Sequence, residues 1–235
     1  MPNARIASRL VAAGTVMVGL AFPDAALGQD DPKGQLQIGP DFGLIARPAK
    51  DDAAGISYGT GIAYGAHAQI LTAPWLRFSL YYLRARQPVT MPAGSLLPGT
   101  AVEGDPHLGS YVLGARIQPT LNLGQRLHLW ANAGAGWGKV TVPAMKLTQG
   151  ADSMRVGPRD GVLVEIPVGV GGSFDIIRRW LAVSIDATYA FSMKQSGDAY
   201  REAQVVDAKG EMLHVGPMPK LGSAVTGTIS LVVEL

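Results

Sequence analysis

The segment Leu181–Phe191, LAVSIDATYAF, decides the fold. Leu181, Val183, Ile185, Ala187, Tyr189 and Phe191 take every second position, and Ala182, Ser184, Asp186, Thr188 and Ala190 fill the places between. A helix would scatter both sets around its circumference, whereas a strand puts them on opposite faces. Seven more segments share this period of two. In Leu36–Ala46, Leu36, Ile38, Phe42 and Leu44 oppose Gln37 and Asp41. In Tyr58–Ile70, Ile62, Tyr64, Ala66, Ala68 and Ile70 oppose His67 and Gln69. In Leu76–Tyr82, Leu76, Phe78, Leu80 and Tyr82 oppose Arg77, Ser79 and Tyr81. Tyr111–Leu121, Leu127–Trp137, Val162–Phe174 and Val225–Leu235 repeat the pattern, with Arg116, His128 and Glu165 on their polar faces. Most segments run about 10–14 residues, against about 5–6 for ordinary strands and about 9–11 for a tilted strand crossing a bilayer. Length therefore favours a membrane barrel over a soluble sandwich.

The stretch before these strands reads as an export signal over residues 1–28. Arg5 and Arg9 form a basic start, Leu10 to Phe22 run apolar, and Ala26-Leu27-Gly28 supplies small residues before a cut at Gln29. The apolar run falls short of the roughly 20 residues that a spanning helix needs. Residues 29–34 form a polar lead-in and 35–235 the barrel domain. No later apolar run could span as a helix, so the chain crosses a membrane only as a closed barrel.

The connections sort by length. Thr72-Ala73-Pro74, Asn122 to Gln125 and Asp175 to Arg179 are tight, whereas roughly 48–56, 88–106, 141–160 and 194–218 are long and rich in Pro, Gly and charge. Short turns on one rim and long loops on the other describe an outer-membrane barrel with both termini on the periplasmic side. Trp75, Phe174 and Trp180 fall near the short-turn rim. Tyr58, Tyr82, Tyr111, Trp137 and Phe191 fall near the long-loop rim, as two interfacial girdles would.

Composition agrees. Of 235 residues, 47% are apolar and only 16% charged, which argues against disorder, and 30 glycines and 16 prolines suit strands and turns. A net charge of +2 without a basic face gives no reason to expect a nucleic-acid partner. The lack of cysteine excludes disulfides, thiolate metal sites and cysteine nucleophiles.

The pattern over 35–235 resembles the eight-stranded outer-membrane barrels, the class of the outer-membrane protein A transmembrane domain. That resemblance implies an all-β, eight-stranded antiparallel up-and-down transmembrane β-barrel in a Gram-negative outer membrane. Its partners would be outer-membrane lipid and lipopolysaccharide. The alternating Ile229, Leu231, Val233 and Leu235 are similar to the C-terminal strand read by the barrel-assembly machinery, although this chain ends in Leu235 where an aromatic residue is usual.

An eight-stranded barrel is just wide enough for side chains to fill. Arg77, Arg116, Asp41, Glu165, Asp186, His67 and His128 are expected inside as a structural polar core. Isolated buried charges are costly, so they should pair. Arg77 and Arg116 should lie close together, with Asp41 or Asp186 neutralising them. Inward glycines should leave room for Trp130, Tyr81 and the arginines. A narrow channel for small or hydrophobic solutes and a soluble ligand-binding barrel are the alternatives.

A lipid-modifying enzyme of the outer membrane is a further alternative, but catalysis has little support in the sequence. A serine hydrolase needs Ser, His and an acid within hydrogen-bond reach. None of the four histidines, His67, His107, His128 and His214, has Ser two residues on, and His107 and Ser110 fall on opposite strand faces. Gly169-Val170-Gly171-Gly172 opens no helix, so it is no dinucleotide motif, and no cofactor is expected. The methionines after the signal, Met91, Met145, Met154, Met193, Met212 and Met218, lie in or beside long loops. Met212, His214 and Met218 could hold a soft metal, or these side chains could form an adaptable apolar surface.

Overall fold

A computed structural model describes residues 36–51, 54–150, 152–206 and 209–235. The signal segment 1–28 and the lead-in 29–34 lie outside them. Eight long strands close into one antiparallel ring: β1 (Leu36–Ala46), β2 (Gly61–Ala73), β3 (Leu76–Thr90), β4 (His107–Leu123), β5 (Leu127–Val142), β6 (Arg159–Ile177), β7 (Leu181–Gly197) and β8 (Ala224–Glu234). Each pairs with its neighbour in sequence, and β1 pairs with β8 to shut the barrel, from Gln37 opposite Glu234 to Ala46 opposite Val225. Closure leaves the barrel sheet itself without an edge strand.

Three tight turns join β2 to β3, β4 to β5 and β6 to β7. The last two use left-handed backbone at Gly124 (φ 76°) and Arg179 (φ 60°). Four long connections leave the opposite rim. Strand count, order, turns and loop sorting all match the periodicity.

Alternation sets which face is which. Phe42, Leu44, Phe78, Leu80, Leu113, Ile117, Val170, Ile185 and Ile229 are exposed on the outside. Asp41, Gln69, Arg77, Gln118, Asn132 and Ser230 are buried inside. A water-soluble barrel would reverse this arrangement, so the apolar exterior rules out the soluble ligand-binding alternative.

The strands run further than the sequence pattern suggested. β3 continues eight residues beyond Tyr82 to Thr90, β4 begins at His107, and β6 reaches 19 residues. At about 3.3 Å per residue, 19 residues span roughly 60 Å, far more than about 30 Å of hydrocarbon requires even when tilted. The excess stands above the membrane on the long-loop side. The loops there are also structured. Ala101–Glu103, Met145–Gln149 and Asp152–Val156 form a three-stranded sheet, and Ala203–Val206 pairs with Met212–Val215 in a hairpin. Together these elements make a cap over the barrel.

Candidate functional site

The lumen holds three groups of polar side chains stacked along the barrel. The central group borders a cavity of about 30 Å³ lined by Asp41, His67, Tyr81, Arg116, Trp130 and Asp186 among others, room for a water or two. His67 Nδ1 lies 2.8 Å from Asp41 Oδ1, and the Ser230 hydroxyl donates to the same oxygen. Trp130 Nε1 donates to Asp186 Oδ1 at 2.9 Å, and Asn132 Nδ2 reaches it at 3.4 Å. The Arg116 guanidinium lies 4.0 Å from the Tyr81 ring centre, and Arg77 lies 5.5 Å from that of Trp130.

The expected pairing therefore differs in its partners. Arg77 and Arg116 are diagonal neighbours, since Arg77 faces Gln118 and Ser79 faces Arg116 across β3 and β4. Asp41 and Asp186 meet His67, Ser230, Trp130 and Asn132, while the two arginines lie over aromatic rings. A π face accepts a cation with less desolvation than an ion pair demands. Inward glycines make this packing possible. A Cβ on Gly171 would come within 2.5 Å of Trp130 Nε1, and one on Gly114 within 2.6 Å of the Tyr81 ring.

Near the tight turns, His128 joins Asn122 Oδ1 at 2.7 Å and Asp175 Oδ2 at 3.4 Å. Towards the loops, Glu165 forms a 2.7 Å ion pair with Arg47, both nearly fully buried, and Arg47 also reaches Ser192 Oγ at 3.5 Å. The polarity pattern had not singled out Arg47, because it lies just beyond the end of β1.

Above this ion pair the interior changes character. Leu108 and Val112 on β4, Val140 and Val142 on β5 and Leu163 on β6 point inward. They pack with Ile56, Leu96, Leu147, Val156, Val215 and Leu221 from the loops. Met145, Met154 and Met218 belong to this core, whereas Met193 and Met212 are exposed. Met218 is buried, whereas Met212 and His214 are exposed. Among the described residues, no group of three or more His, Asp or Glu is placed to hold a metal ion.

Backbone hydrogen bonds lock the loops together. Lys50 N donates to Lys220 O at 2.7 Å, Gly216 N to Leu96 O at 2.8 Å, and Met218 N to Ala199 O at 2.9 Å. The buried Arg159 guanidinium ties down the last loop, donating from Nη1 to Gly216 O at 3.0 Å. Burial lowers its proton affinity, pushes the Tyr58 phenol above its usual range, and raises Tyr200 to about 12. The cap was hidden from sequence reading, but one signal pointed to it: inward positions after Tyr82 on β3 are apolar at Leu83, Ala85 and Val89, with Gln87 the exception.

Known structures share this fold. A major outer membrane protein from Thermus thermophilus matches with a TM-score of 0.50 at 10% identity, over 85% of this chain and 99% of that one. Neisserial surface protein A (TM-score 0.44, 14% identity, 88% of this chain and 99% of that one) also matches. So does Ail, the attachment invasion locus protein of Yersinia pestis (0.42, 13%, 86% and 99%). No protein-family model and no curated protein matches the chain. At such identities the likeness speaks to fold alone. Ring, inverted polarity and structural likeness agree: the chain folds as an eight-stranded outer-membrane β-barrel.

Proposed function

We propose that this protein is a non-enzymatic outer-membrane barrel with a closed lumen, which supports the envelope and presents a folded cap at the cell surface. Residues 1–28 export it and are removed before Gln29. The termini and tight turns face the periplasm, and the assembly machinery reads the strand ending at Leu235. The polar residues from His128 up to Glu165 serve as a structural core.

One observation carries this reading: the cavity in the central lumen holds about 30 Å³, and a packed apolar cap lies above it. A hydrated ion path needs a continuous file of water, and this volume holds roughly one or two molecules. The lumen chemistry also speaks against catalysis. In a serine-hydrolase triad the imidazole sits between hydroxyl and carboxylate. Here Asp41 sits between Ser230 and His67, so the imidazole is not placed to take the serine proton.

Planar-bilayer recording tests the proposal. The purified barrel is expected to give no stable conductance of porin size, and a steady open state of that size would refute it.

A further inference from the structure

We propose that the cap binds a small monocarboxylate on the buried guanidinium of Arg159. The site lies among the loops, apart from the polar network of the lumen, and stands whether or not the barrel conducts.

The interior guanidiniums differ in how their charge is met. Arg47 pairs with Glu165 at 2.7 Å. Arg77 and Arg116 lie over the rings of Trp130 and Tyr81. Arg159 is 6% exposed and, among the described residues, has neither kind of partner. Its Nη1 donates to Gly216 O at 3.0 Å and to Arg201 O at 3.4 Å, both backbone carbonyls. The group that acts on it electrostatically is the Tyr58 phenol. Burial holds the protons on Tyr58 and on Tyr200, so neither phenol supplies negative charge at neutral pH. A buried cation with no counter-charge is costly.

The unmet donors have the geometry of an oxyanion site. Arg159 Nε and Nη2 are both buried without a hydrogen-bond partner. These two nitrogens share one edge of the planar group, so their N–H bonds run parallel, as the two oxygens of one carboxylate require. A halide offers a single centre to both donors, and water brings no charge. Hydroxyls stand nearby. Gly216 N donates to Leu96 O at 2.8 Å, beside Ser95, whose Oγ is buried and unpartnered. Tyr200 adjoins Arg201, and its ring lies over Gly161, where an added Cβ would come within 2.6 Å of it. Its hydroxyl is also buried and unpartnered. Tyr58 donates to Pro219 O at 2.8 Å, three residues along the chain from Gly216.

Charge and packing fix the class of acid. One guanidinium balances one negative charge, which a carboxylate carries at neutral pH. Phosphate and sulfate carry more, and would replace an uncompensated cation by an uncompensated anion. Leu96, Val215 and Met218 flank the same backbone bonds and belong to the apolar core of the cap, so the acid is a small one. It enters by local opening of the loops, a motion of lower cost than unfolding the barrel.

The test uses the full-length barrel in detergent micelles at pH 7, with formate as the probe and chloride at the same ionic strength as the reference. Formate that binds only the closed cap slows chymotrypsin cleavage of the loops, by about elevenfold at a concentration ten times its Kd. The proton line of formate should also broaden saturably with added protein. Phosphate and sulfate should protect the loops no better than chloride. The R159M variant should lose both formate effects. Should R159M leave the cap unfolded, R159K decides: it keeps the charge but loses the parallel donors, so formate should protect it no better than chloride does. Equal protection of the wild type by formate and chloride would overturn the site. So would stronger protection by phosphate than by formate, or undiminished formate protection in R159K.

Discussion

The same strands build two interiors of opposite chemistry. On β3, the inward positions Arg77, Ser79 and Tyr81 give way to Leu83, Ala85 and Val89, with Gln87 the one polar side chain among them, while the outward ones pass from Phe78, Leu80 and Tyr82 to Arg84 and Arg86. β4 changes likewise, from Gln118 and Arg116 inside to Val112 and Leu108. Below the row Tyr82–Leu113–Trp137 the protein is polar within and apolar without; above it the interior is mainly apolar, with Gln87, Ser110 and Arg159 buried among the apolar side chains, and the outward face of β3 turns cationic. The solvent explains the exchange. Lipid outside requires apolar outward side chains, leaving the inside to polar groups that satisfy one another. Water outside restores the ordinary apolar core. The crossover row therefore marks the outer boundary of the membrane from the protein's own side-chain chemistry.

Substitutions can break each half separately. The largest effect is expected where the halves meet. Glu165→Ala leaves the Arg47 guanidinium buried and uncompensated, which should cost about 3–5 kcal/mol. Guanidinium unfolding of the barrel in detergent micelles measures this loss. Replacing both partners by apolar residues of similar size should restore most of it, because the uncompensated charge rather than the lost pair carries the penalty.

Leu147→Ala acts on the cap alone. Leu147 is fully buried, and its truncation should cost about 2–5 kcal/mol. Limited trypsin digestion should then cut the loops around 143–158 and 198–223 while the barrel keeps its heat-dependent gel shift. Simultaneous loss of the barrel would show that cap and lumen fold as one unit.

Alkali should also open the cap. Tyr200 and Tyr58 have raised affinities for their protons in the folded protein, so the folded state binds more protons than the unfolded one above about pH 10. Their contribution is complete below pH 10 and falls as pH rises towards about 12. Loop proteolysis at pH 8 and pH 11 measures the difference, and Tyr200→Phe should reduce it. The smallest effect belongs to Lys139→Ala, which removes a solvent-screened ion pair with Asp160 and should leave the unfolding midpoint in guanidinium close to that of the wild type.

The lower half was legible in the sequence because its period of two has one polarity throughout. Leu181–Phe191 and its seven counterparts identified every barrel strand, and Asp41, His67, Arg116 and Asp186 fell on the face that borders the central cavity. By its pattern β3 ends at Tyr82, because apolar residues stop facing outward there, although the strand continues. The cap left no such trace. Its sheet joins Ala101–Glu103 to Met145–Gln149 through strands of three and five residues, too short to show a period. The Arg47–Glu165 pair spans 118 positions, a separation on which local patterning says nothing.

The fold and its placement are tested most directly by fractionating producing cells and running the protein on a gel before and after boiling. The account predicts that it pellets with the outer membrane, resists extraction without detergent, and migrates differently once boiled. A soluble protein with one mobility under both conditions would contradict it.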